Sequence, residues 1–141
     1  MAFILTNEMK NELVETARKA MQNAYVPYSH YPVGAALLTS EGKIFSGTNI
    51  ENAAYPLTIC AERVAVFKAV SEGIRDFAAI AIVTRNAGSP CGSCRQVLAE
   101  FGLETQVLLA DDQGEISTEM SVAGLLPLPF GPQHLGSTET E

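Results

Sequence analysis

The residues with the most chemistry to offer are three cysteines, two of them in SPCGSCRQV (89–97). Cys91 and Cys94 form a C-x-x-C pair behind Pro90, and Cys60 opens CAERVAVFKAVSEG (60–73). A C-x-x-C pair at a helix start suits a thiol–disulfide enzyme, because a helix N-terminus lowers a thiol pKa. That reading leaves Cys60 without a role. C-x-x-C is also a half-site for zinc, and three thiolates supply three of the four ligands that zinc takes. The fourth is then one of two histidines, His30 or His134, a carboxylate, or water. His30 lies in the turn-like PYSHYP and His134 in the C-terminal tail, where solvated histidines are common. If neither binds, the fourth position stays open, which separates a catalytic zinc from a structural one.

Glu62 sharpens the catalytic alternative. It stands two residues after Cys60, in the first turn of the helix expected there. A carboxylate beside the metal can take a proton from attacking water and return it to the substrate. An acidic residue in a first turn is also simply favoured by the helix dipole. Three thiolates around Zn²⁺ leave a net negative charge, which makes bound water less acidic unless something positive offsets it. The two helix N-termini supply partial charge. Arg63 and Arg95 each follow a key residue directly and can donate charge-assisted hydrogen bonds to sulfur.

These side chains need a scaffold, and 141 residues suit one domain with a sizeable core. The net charge is −7 and no block of Lys or Arg stands out, which argues against a nucleic-acid groove. No apolar run reaches the length of a membrane span, and MAFILTNEMK has too short an apolar stretch for a secretory signal. A cytoplasmic protein is expected, and an odd cysteine count there does not build a disulfide framework.

Thr6 caps a helix predicted from Asn7 to Ala24, with Met9, Leu13, Ala17, Ala20 and Met21 at helical spacing. VGAALLT and KIFSGTNI flank the turn residues SEG and predict a hairpin. Helices follow over 60–73, ended by Gly73, and over 91–102, opened by Pro90 and closed by Gly102. AAIAIVT (78–84) and QVLLA suit buried strands, DDQGE a tight turn, and a weaker strand lies near Ile116. MSVAGLL predicts a short final helix. The domain is expected over residues 1–130, and 131–141 as a polar, mobile tail. The order α-β-β-α-β-α-β-β-α gives an α/β protein, a mixed sheet covered by helices.

CAE followed by PCGSC resembles the zinc nucleoside and nucleobase deaminases, whose pattern is H-x-E with P-C-x-x-C and a three-cysteine variant. The likeness extends through PYSHYPVGAALL, GTNIENAAYPLTICAER, KAVSEG and LLPLPFGP, over about residues 24 to 132. Together these are similar to the short, homotetrameric cytidine deaminase class. The resemblance implies a three-layer α-β-α fold with a mixed five-stranded sheet and one Zn²⁺ per subunit on Cys60, Cys91 and Cys94. Glu62 would shuttle protons, beside the Arg63 that its spacing of one turn from Cys60 already places at the thiols. Asn49 and Glu51 would bind the ribose, bordered by Ile50, Asn52, Ala53, Ala54 and Tyr55, and the Ala61 N–H would meet the pyrimidine carbonyl. Phe130 resembles an aromatic that stacks on the base from a neighbouring subunit, so active sites would be shared. Tyr31 stands where phenylalanine is usual, near the base, and its hydroxyl puts substrate fit at issue.

The implied reaction is hydrolytic deamination of cytidine and deoxycytidine, a step of pyrimidine salvage, with a nucleoside as partner and neither nucleic acid nor membrane. The Glu51 carboxylate repels a nearby phosphate, so nucleotides are expected to be poor substrates. A blasticidin-type aminonucleoside deaminase shares C-A-E and P-C-G-x-C-R-Q, but the intact NIENAAY favours cytidine. A structural zinc domain is the reading from another class, with His30 or His134 as fourth ligand.

Overall fold

A computed structural model describes residues 3–136. The chain orders as α1 (Asn7–Met21), β1 (Gly34–Thr39), β2 (Ile44–Thr48), α2 (Ala61–Ser71), β3 (Phe77–Val83), α3 (Gly92–Phe101), β4 (Gln106–Ala110), β5 (Ile116–Ser121) and α4 (Val122–Leu125). The five strands form one mixed sheet in the order β2-β1-β3-β4-β5, antiparallel except for the β3–β4 pair.

The strands at the centre are apolar on both faces, as a sheet covered twice must be. Ala35, Leu37, Ile80, Ile82, Val107 and Leu109 pack with Ala61, Ala65, Val66, Ala69 and Leu98, which come from α2 and α3. Alternate residues Ala36, Leu38, Ala79, Ala81, Val83, Leu108 and Ala110 pack with Leu13, Val14 and Ala17 of α1. Three layers result, helix, sheet and helix, as the resemblance implies. Alanines on the α1 side let that helix lie close to the sheet. On the other side Gly47 does the same for α2: a Cβ there would stand 2.6 Å from the Ala61 carbonyl oxygen and 2.7 Å from the Ala65 nitrogen.

Local signals hold at most boundaries. Thr6 caps α1 by accepting from the Met9 N–H, and β4 coincides with QVLLA. Three differences have physical causes. α1 ends at Met21, three residues before Ala24, where the chain turns through Gln22 and Asn23. β5 is a full six-residue edge strand, its polar ISTEMS reflecting one open side rather than weakness. Met120 and Ser121 belong to β5 instead of the last helix. The segment expected as a tail opens with a 3-10 turn at Pro132–Leu135, and residues 137–141 lie outside the described residues.

Candidate active site

Each thiol owes its place to a helix start. Cys60 is the N-cap of α2 and Cys91 the N-cap of α3, both in extended backbone just before the first turn, and Cys94 lies within that turn of α3. Both helices therefore aim their free N–H groups and positive dipole ends at the sulfurs. The three Sγ atoms lie within 4.8 Å of one another, with Cys60 and Cys91 at 3.9 Å. Tetrahedral zinc with bonds of about 2.3 Å spaces its sulfurs by roughly 3.8 Å. The donor set therefore fits zinc. No His, Asp or Glu among the described residues joins the cluster, so the chain offers three ligands and an open fourth position. His134 is engaged elsewhere: its Nδ1 accepts from the Gly131 N–H at 3.0 Å, and its ring stacks on Phe130.

Arg63 donates through Nη2 to the Cys60 sulfur at 3.2 Å, while its Nε is buried without a partner. The Cys94 thiol, donating towards the Cys60 sulfur and reinforced by Arg63, lowers the Cys60 thiol to about 5. That hydrogen bond to Cys60, with full burial, makes Cys94 keep its proton well above the usual thiol range. Binding a metal across the pair must release this proton, which makes metal affinity pH-dependent. Arg95 departs from the expectation: it reaches no sulfur. It donates to the Pro90 and Leu125 carbonyls at 2.8 and 2.7 Å and to Ser89 Oγ at 2.7 Å. It fastens the cysteine loop to the C-terminal segment instead.

Glu62 lies in the first turn of α2 and is 5% exposed. Burial raises its carboxyl to about 7, and the Cys60 thiolate adds to the effect. Such a group takes and gives a proton near neutral pH. A cavity of about 170 Å³ brings Glu62, Cys60 and Cys91 together with Ala61, Asn49 and Tyr31. As the first helical residue, Ala61 has an N–H with no intrahelical acceptor. Val33, Ile82, Thr84, Gly88 and Ser89 also line this cavity and were not singled out in the sequence. One signal points to Thr84: ligands gather at the carboxyl ends of parallel strands, and Thr84 follows β3.

The NIENAAY residues divide. The Asn49 side chain brackets the loop before β1, donating to the Tyr31 carbonyl at 3.0 Å and accepting from the Val33 N–H at 2.9 Å. One amide hydrogen and one lone pair remain for a ligand. Ile50 pairs with Ile59 through both backbone groups, and Asn52 Oδ1 accepts from the Ala54 N–H at 2.8 Å. Ala53 is exposed in this turn. Glu51 and Tyr55 line a different hollow of about 390 Å³ with Tyr28, Ser29 and Thr58. The Ser29 hydroxyl, with the Ser29 and Tyr28 N–H groups, donates to Glu51 and lowers its carboxyl pKa. Phe130 is exposed and lines neither space, its carbonyl held by Gln96 Nε2 at 2.9 Å.

Known proteins align with this arrangement. A family model described as the cytidine and deoxycytidylate deaminase zinc-binding region matches residues 7–110. A cytidine deaminase of Sporosarcina psychrophila is 52% identical over 127 residues, 88% of this chain and 93% of that one. One from Halalkalibacterium halodurans is 53% identical over 121 residues, covering 84% and 91%. The crystal structure of cytidine deaminase from Burkholderia pseudomallei superposes with a TM-score of 0.81 at 46% identity, covering 89% of this chain and 99% of that one. The stretch 7–110 holds all three thiols, Glu62 and four of the five strands, and the chain belongs to the cytidine and deoxycytidylate deaminase family.

Proposed function

We propose that this chain deaminates cytidine and deoxycytidine to uridine and deoxyuridine, releasing ammonia, with zinc held by Cys60, Cys91 and Cys94. The observation that carries the reading is a buried carboxyl, raised to about 7, beside three thiols with no fourth protein ligand among the described residues. Bound zinc supplies Lewis acidity that makes water nucleophilic near neutral pH. Glu62 accepts the proton of the water that attacks C4 and passes it to N3, then takes the remaining proton of the hydroxyl now on C4 and gives it to the departing amine. The Ala61 N–H meets the pyrimidine carbonyl. Arg63 offsets thiolate charge, supported by its hydrogen bond to Cys60.

Asn49 and Glu51 select the sugar, and Glu51, ionised below the usual carboxylate range, repels a phosphate in its place. Nucleosides are thus preferred over nucleotides. The chain works as a homotetramer in which Phe130 stacks on the base in a neighbour's site, while the residues through Tyr55 border the sugar. Tyr28, Tyr55, Leu57, Leu128 and Phe130 are exposed apolar side chains, which supports this assembly. No helix among the described residues is long and apolar enough to cross a membrane, and three unpaired thiols suit a reducing cytoplasm.

The test is incubation with cytidine, following ultraviolet absorbance and ammonia before and after zinc removal. Turnover that is lost with zinc and regained on its return is expected. No deamination by the zinc-loaded protein, or full activity without metal, would overturn the reading. Cytidine monophosphate turned over as well as cytidine would remove the role given to Glu51.

A further inference from the structure

The cavity beside the thiols has two rims drawn from distant parts of the chain. Tyr31 stands on one, and Thr84, Gly88 and Ser89 stand on the other, between β3 and α3. Three contacts join these rims. The Tyr31 hydroxyl donates to Asn86 Oδ1 at 2.6 Å. Arg85 Nη1 donates to the His30 carbonyl at 3.0 Å, and the Arg85 guanidinium lies 4.8 Å from the centre of the Tyr31 ring. The far rim is itself folded tightly, with the Gly88 N–H donating to Thr84 Oγ1 at 2.6 Å. The hydroxyl fits against Gly88 so closely that a Cβ there would stand 2.7 Å from it.

We propose that the Tyr31 hydroxyl and Asn86 form a latch across the substrate pocket, with Asn86 a positioning residue for the 84–89 rim. The inference rests on the deaminase reading of this pocket. Phenylalanine would fill the same ring space and keep the Arg85 stacking, but it cannot donate to Asn86. The extra hydroxyl thus serves the loop rather than the base, which resolves the question of fit that Tyr31 raises. A rim held closed only part of the time lowers apparent affinity by the fraction closed. Substrate and transition state are affected alike, so KM rises while kcat changes little.

The test uses zinc-loaded Tyr31→Phe, Asn86→Ala, the double variant and Asn86→Asp, with cytidine kinetics and hydrogen exchange over residues 84–90. Loss of one hydrogen bond should raise KM roughly fivefold in each single variant, with kcat within about twofold. The double variant should be no worse than the worse single one, because both break one contact. Asn86→Asp, which keeps an oxygen acceptor, should hold KM near the parent value. Exchange at 84–90 should quicken in Tyr31→Phe and Asn86→Ala with zinc content unchanged. Multiplying effects in the double variant, a fall in kcat matching that in kcat/KM, or unchanged exchange in Tyr31→Phe would each overturn the latch. A parent protein inactive on cytidine would sink the deaminase reading, while the exchange comparison would still decide the latch.

Discussion

Ala61 and Cys94 are fully buried and Glu62 is 5% exposed, whereas Phe130, Tyr55 and Leu128 range from 58% to 99% exposed. The first set belongs to the thiol site and is enclosed by its own sheet and helices. The second set carries large apolar side chains outward on turns, and the resemblance implies sugar and base contacts for two of them, Tyr55 and Phe130. The contrast teaches that the thiols, Glu62 and the Asn49 side of the cavity are assembled within one chain, while Tyr55 and Phe130 stand outside that cavity. A neighbouring copy is the occupant that the proposed tetramer supplies.

The contrast breaks most sharply at Glu62. Glu62→Ala should retain zinc by elemental analysis yet lose at least about 10²–10⁴-fold in kcat. A variant that turns over normally would remove the internal proton shuttle. The same side chain carries a stability signature. The folded state keeps a proton that the unfolded chain releases above about 4.5, so stability falls as pH rises from there towards 7. In chelator-treated protein, Glu62→Gln should therefore gain about 3 kcal/mol at pH 8 and almost nothing at pH 4, read by denaturant titration. A gain independent of pH would contradict the burial argument.

Phe130→Ala tests the outward half. It should raise KM about tenfold and leave zinc in place, since a stacked base is worth roughly 1–3 kcal/mol. If sites are shared, mixing and reassembling Phe130→Ala with Glu62→Ala subunits should recover a fraction of sites with the parent KM, which neither variant shows alone. No recovery after verified subunit exchange would count against sharing. The smallest effect belongs to Arg63→Ala, which should move the pH–rate profile to higher pH by roughly one unit. An unmoved profile would end its electrostatic role.

Helical spacing explains which parts of the site were legible. Cys60 and Arg63 are three residues apart, share a helix face and meet, as neighbours at that spacing do. Arg95 follows Cys94 directly, which turns it about 100° around the helix, and carbonyl oxygens from Pro90 and Leu125 claim it. Leu125 comes from a segment 30 residues away, a partner that no local pattern reveals. The central strands were readable because both faces are apolar, while β5 was underestimated because an edge strand can afford polar residues. Tyr31 lines the pocket, and the direction of its hydroxyl depends on Asn86, 55 residues on.

The sheet's one parallel pair bears on where the chain tolerates alteration. The antiparallel pairs β1–β2 and β4–β5 are joined by short turns, but β3 and β4 run the same way and need a long crossover, which here is α3 with Cys91 and Cys94. The passage that topology compels is also the one that carries two of the three sulfurs, so shortening it damages architecture and reactivity together. The Asp111–Glu115 turn between β4 and β5 bears no such double duty. New termini opened there by circular permutation should leave both sulfurs and sheet intact, whereas the same cut at 85–91 should spoil each.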